Sequence, residues 1–145
     1  MKQCRKEYLK EYKIKNKEIL KAKRCIYERL KRRNDPLFKL SNNIKRLISM
    51  NMKRKGYKKN SKTQLILGCT NSEFKLYLES KFEHWMSWDN YGLYNGELNY
   101  GWDIDHIVPC TIAIDENELL KLNHYTNLQP LCSKINRDIK KDKII

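Results

Sequence analysis

The apolar positions of this chain change period from one end to the other. Residues 5–33 hold no Gly or Pro and are dense in Lys, Glu, Leu and Tyr, which predicts helix. Tyr8, Tyr12, Ile19, Leu20 and Ile26 are its candidate apolar positions. That stripe is thin, so the segment reads as an arm that orders on a partner. Asn34-Asp35-Pro36 predicts a stop and a restart, with Asp35 as cap and Pro36 in the first helical position. Leu37, Leu40, Ile44, Leu47 and Ile48 then recur at helical spacing and predict an amphipathic helix to about Met52.

Residues 53–59 read as a basic turn. Ser61 to Leu67 predicts a short helix closed by Gly68. Thr70-Asn71-Ser72-Glu73 is a capping box, and Phe74, Leu76, Tyr77, Leu78 and Phe82 are expected on the buried face that follows. Trp85 and Trp88 fall in the next loop and, with Trp102, read as core anchors. Asn90 to Gly101 reads as a loop or weak hairpin. Trp102 to Val108 predicts a strand stopped by Pro109, Glu116 to Leu122 a short helix, and Leu128 to Cys132 a second strand. Ser133 is the expected N-cap of a final helix over residues 134–142. The fold class that follows is α+β: a predominantly helical, basic N-terminal half, then strand, long loop, strand and helix. Its expected divisions are an arm (1–34), a helical supporting region (35–100) and a core (101–145).

Charge changes the picture from fold to partner. The chain of 145 residues carries a formal net charge of +14, and residues 1–64 hold 23 Lys and Arg against 5 Asp and Glu. Such a field seeks a polyanion, and the second half supplies the acidic side chains that can hold a cation. No apolar run is long enough for a membrane span, and the first residues lead into charge rather than a signal core, so an intracellular setting is expected. The five cysteines form no C-x-x-C pair, so no structural zinc is expected.

The candidate chemistry lies near the C-terminus. Asp105 offers a carboxylate oxygen suited to Mg²⁺ or Mn²⁺. His106 can take a proton from water near neutral pH. Neighbours in a regular strand face opposite ways, but the strand end before Pro109 can relax that. Asn127 can tie its loop to backbone amides and so fix the histidine. Asn136, on the first turn of the final helix, can return a neutral amide oxygen to the same cation. One charged and one neutral ligand leave places for water and phosphate oxygens. Arg137, Lys140 and Lys141, with Lys53, Arg54, Lys55, Lys58 and Lys59, are the basic residues expected to meet the phosphates of a polyanion. Asp103, two residues before Asp105, reads either as a carboxylate supporting the site or as a solvated strand residue. His84 and His124 read as structural.

Trp102-Asp103-Ile104-Asp105-His106-Ile107-Val108-Pro109, Tyr125-Thr126-Asn127-Leu128-Gln129-Pro130-Leu131 and Asn136-Arg137 resemble an HNH endonuclease of the His-Me finger (ββα-metal) superfamily. The likeness is nearest to the small HNH proteins of phages, large DNA viruses and mobile introns. It extends to Asp35-Pro36-Leu37-Phe38-Lys39-Leu40, Lys55-Gly56-Tyr57-Lys58-Lys59, Ile66-Leu67-Gly68-Cys69-Thr70 and Leu78-Glu79-Ser80-Lys81-Phe82, covering residues 35–143. The resemblance implies a ββα-metal core, with Asp105 as metal ligand and His106 as general base. It implies Asn127 as the middle motif residue that orders the loop, and Asn136 as second ligand in place of a final histidine. It also implies metal-dependent hydrolysis of DNA phosphodiester bonds, with no small-molecule substrate. Two departures stand out. Many such proteins carry zinc-binding cysteine pairs, whereas Cys132 stands alone with Ile135 at the partner's place. A lysine commonly follows the last motif residue by three positions, where this chain has Ile139, with Lys140 and Lys141 just after. The alternative readings are a non-catalytic nucleic-acid-binding protein on a degenerate HNH scaffold, and a ribonuclease.

Overall fold

The structure of the protein, a computed structural model, describes residues 2–141, 143 and 144, with side chains from residue 5 onward. Helices and a two-stranded sheet make an α+β chain, which divides into two compact units, residues 1–39 and 40–145.

The first unit is helical. The single helix expected over 5–33 is instead two, α1 (Lys2–Lys15) and α2 (Lys17–Asn34). The break falls at Asn16, whose side-chain amide donates to the Tyr12 carbonyl at 2.9 Å. Asparagine competes in this way for the backbone groups a helix needs. Tyr8, Tyr12, Ile19, Leu20 and Ile26 are all exposed. Asp35 caps the next helix as expected, its Oδ1 accepting the Phe38 amide at 3.0 Å, and α3 (Pro36–Arg54) starts on the proline.

The second unit has a core of its own. Leu40, Ile44, Ile48 and Met52 of α3, spaced four apart, are essentially fully buried. Burying each such side chain is worth about 1.5–3 kcal/mol. α4 (Thr63–Leu67) ends on Gly68, held at φ +83°. α5 (Asn71–Glu79) opens on the Thr70–Glu73 capping box and buries Phe74 and Leu78. Leu76, expected on that face, is exposed, because it sits midway between two residues four apart. Trp102 is fully buried, its indole N–H on the Ser87 carbonyl at 2.6 Å, and it packs against Phe82, Trp88 and Tyr91.

β1 (Trp102–His106) pairs antiparallel with β2 (Leu128–Cys132), placing Asp105 opposite Gln129 and His106 opposite Leu128. Between them lie a 3₁₀ turn (Cys110–Ile112), α6 (Glu116–Leu122) and a second 3₁₀ turn (Tyr125–Asn127). β1 ends two residues before the expected Val108, because the Ile107 amide bonds to the Asn127 carbonyl outside the sheet. The final helix is π-wound over Ile135–Lys140. Residue 142, the end of the helix expected from sequence, lies outside the described residues. Ser133 does not act as the expected cap: its hydroxyl is buried with no partner among the described residues. No described helix is long and apolar enough to cross a membrane.

Candidate functional site

Asp105, His106 and Asn136 line one cleft of about 180 Å³ in the second unit, together with Asn51, Arg54, Lys55 and Lys141. Two adjacent strand residues thus reach the same space, as the strand-end argument allows. Asn127 does not line the cleft. Its amide acts on the loop instead, donating to the carbonyls of Val108 (2.9 Å) and Leu122 (2.8 Å) and accepting the Val108 amide at 2.9 Å. These bonds close the long loop immediately after His106, so Asn127 positions the histidine through the backbone.

His106 is held by a residue the sequence did not single out. Asn123, buried at the end of α6, donates its Nδ2 to the Leu119 carbonyl at 2.8 Å. Its Oδ1 is therefore the atom that faces His106 Nε2 at 3.3 Å and accepts Asn51 Nδ2 at 3.1 Å. Asn51 Nδ2 lies 3.5 Å from the same ring nitrogen, farther than the Asn123 oxygen, so the nearer contact favours a proton on Nε2 and the lone pair on Nδ1. Burial lowers the imidazole pKa below its ordinary 6.5, outweighing the upward pull of the Asn123 bond and of Asp105. Lys140 adds to the lowering. The ring is thus neutral at neutral pH, the state a general base needs.

The clue to Asn51 lay in the α3 stripe, where it follows Ile48 as a polar residue among buried apolar ones. Asn123 reads in sequence only as a helix stop. Gln129, whose amide donates to Asp105 Oδ2 at 3.0 Å, depends on cross-strand register.

Asp105 is buried, and its Oδ2 also forms an ion pair with Lys140. This corrects the expected place of Lys140 on a flanking phosphate. Its ammonium is buried and further bound to the His106 carbonyl at 2.6 Å. The π winding gives the physical reason. Closing i→i+5 bonds, as Lys141 N–H does on the Asn136 carbonyl at 3.0 Å, adds about one residue to the turn. The residue that returns to the Asn136 side is displaced by one, so Lys140 turns inward and Ile139 is exposed.

Asp105 Oδ1 and the Asn136 side-chain amide have no hydrogen-bond partner among the described residues. A carboxylate and an amide oxygen are hard donors of the kind Mg²⁺ or Mn²⁺ takes, so these are the two side chains of the cleft that could hold such an ion. Among the described residues no group of three His, Cys, Asp or Glu side chains could hold a metal.

The remaining basic residues divide. Arg54 and Lys141 are exposed and line the cleft, while Lys53 and Lys58 are exposed away from it. Lys59 is half-buried, its pKa lowered by burial and then by Lys45. Lys55 lines the cleft but spends its ammonium on the carbonyls of Thr111 (2.5 Å) and Ala113 (2.9 Å). Arg137 grips Asp103 with two bonds, of 2.7 and 2.8 Å. Both line a second cleft with Arg46, which shares Leu47, Ile104 and Asn136 with the first. Asp103 thus serves Arg137. His84 is exposed, and His124 packs against Gly68 and bonds to Thr126 Oγ1 at 2.9 Å.

No family model matches the chain, and no solved structure matches it. It is similar to an uncharacterized protein of Acanthamoeba polyphaga mimivirus, 30% identical over 123 residues, which is 83% of this chain and 50% of that protein. A second uncharacterized protein of the same virus is 36% identical over 81 residues, 54% of this chain and 32% of its own length. The chain therefore spans half or less of the length of these curated relatives.

Proposed function

We propose that the protein is a metal-dependent HNH endonuclease that hydrolyses DNA phosphodiester bonds, with one Mg²⁺-type ion, in an intracellular setting where DNA is accessible. The observation that carries this reading is the convergence of Asp105, His106 and Asn136 on one basic-rimmed cleft. Neutral His106, its Nε2 proton engaged by Asn123, takes a proton from water on Nδ1. The hydroxide oxygen bonds to phosphorus, the bond to the 3′ oxygen breaks, and that oxygen is protonated from solvent. Asp105 and Asn136 are the residues to hold the cation. When bound, it supplies Lewis-acid stabilisation of the phosphorane and the departing oxygen. Arg54 and Lys141 line the same cleft, which supports assigning them to phosphates beside the scissile one.

The test is nicking of a supercoiled plasmid. Wild type cleaves with Mg²⁺ and stops in EDTA. His106→Ala retains DNA affinity and loses about 10²–10⁴ in rate. Equal turnover in that variant, or full activity in chelator, rejects the proposal. One observation favours the non-catalytic alternative: the Lys140 ammonium already neutralises Asp105. DNA binding without cleavage in any divalent metal would establish that reading, and competition with RNA separates a ribonuclease.

A further inference from the structure

We propose that the cleft is charged to refuse a divalent cation until a phosphodiester lies in it, and that Lys140 sets this order of binding. The inference rests on the nuclease reading above and concerns how its cation is admitted.

The cleft is lined by one carboxylate, Asp105, against three basic side chains, Arg54, Lys55 and Lys141. Behind Asp105 stands a further cation. Lys140 pairs with Oδ2 and is bound to the carbonyls of His106 (2.6 Å) and Ile107 (3.4 Å). Three acceptors and complete burial leave that ammonium no solvent path within this arrangement. Oδ2 is also taken by Gln129, so Oδ1 is the carboxylate oxygen left to offer a metal. A doubly charged ion entering the protein alone therefore meets a surplus of positive charge and a single carboxylate. Mg²⁺-like ions bind such sites through the substrate's phosphate oxygens. A DNA strand reverses the balance: it neutralises Arg54 and Lys141 and brings the missing oxygens. Lys140 then has two effects. It holds Asp105 in its binding pose while no metal is present, and it keeps the affinity of the DNA-free protein low.

The test titrates Mn²⁺, followed by electron paramagnetic resonance of the free ion, into cleavage-dead His106→Ala protein, alone and with excess duplex DNA. Asp105→Asn protein with the same DNA is the blank for Mn²⁺ held by DNA itself. The expected result is that DNA tightens Mn²⁺ binding at least about tenfold over the DNA-free protein, since removing one unit of repulsion from a divalent ion a few ångströms away already has that effect. By linkage, Mn²⁺ raises DNA affinity by the same factor in His106→Ala and not in Asp105→Asn. Lys140→Met brings the DNA-free affinity towards that of the complex, and an unchanged DNA-free affinity in that variant, folded by circular dichroism, removes Lys140 as the cause; the comparison with and without DNA tests the order itself. Equal Mn²⁺ affinity with and without DNA overturns the proposed order and leaves the nuclease reading standing. Binding no greater than the Asp105→Asn blank in both states overturns Asp105 as a ligand, and with it both readings.

Discussion

Asn123→Leu isolates the device that sets the proton on His106. The substitution conserves side-chain size and removes the Oδ1 that faces His106 Nε2 at 3.3 Å and Asn51 Nδ2 at 3.1 Å. The Leu119 carbonyl is not orphaned, because it keeps the Asn123 backbone N–H at 3.2 Å. Asn51 Nδ2 keeps Cys110 Sγ at 3.5 Å. The Nε2 proton is what loses its acceptor, and a buried unpaired donor costs about 1–3 kcal/mol. The imidazole can escape that cost by moving its proton to Nδ1, since Asn51 Nδ2, 3.5 Å away, can then donate to Nε2. The tautomer so favoured has no lone pair on Nδ1 to accept a proton from water. A shift of about 1–3 kcal/mol between tautomers is up to roughly a 5–150-fold loss of the competent form, and kcat should fall by that factor. KM and DNA affinity should hold, because Asn123 is buried and does not line the cleft. Single-turnover cleavage beside a gel-shift titration measures both, and ¹⁵N spectra of the histidine ring report the tautomer without any cleavage. A folded variant with wild-type kcat and an unchanged Nε2–H tautomer refutes the reasoning.

Two further outcomes follow from the same geometry. Gly68→Ala should lower stability by more than about 2 kcal/mol in denaturant unfolding, because it combines φ +83° with a Cβ 2.1 Å from His124 Nε2; a loss under half of that would show that His124 yields freely. Burial lowers the His106 pKa, so the unfolded chain takes up its proton at about 6.5 while the folded protein does so only at lower pH. Cleavage should keep its neutral-pH rate below pH 6.5, and His106 should cost stability only as pH falls below that value; an acid limb at or above 6.5 contradicts the half-buried, neutral base.

Local pattern made much of the second unit legible. The four-residue spacing from Leu40 to Met52, the Thr70–Glu73 box and the Gly68 cap are statements about consecutive residues, and each appears where its chemistry places it. The same holds for Asp35 on the Phe38 amide and for the order of strand, loop, strand and helix. The break at Asn16 was also local, but it turned on one side chain's choice between solvent and a carbonyl, which helix propensity summed over the segment does not register.

The site was legible only in part. The types and order of Asp105, His106, Asn127 and Asn136 offered a cation ligand and a base, and the resemblance to HNH endonucleases is what singled them out from other Asp, His and Asn residues. Tertiary structure decided which groups those residues meet. Strand register put Gln129 on Asp105, and the packing of α3 and α6 brought Asn51 and Asn123 onto one imidazole. One residue of π winding turned Lys140 from an expected phosphate contact into the buried partner of Asp105. The physical reason is range. Helix caps and apolar stripes are settled within a few residues along the chain, whereas the partner of a buried polar atom is whichever group the fold carries to it across the core.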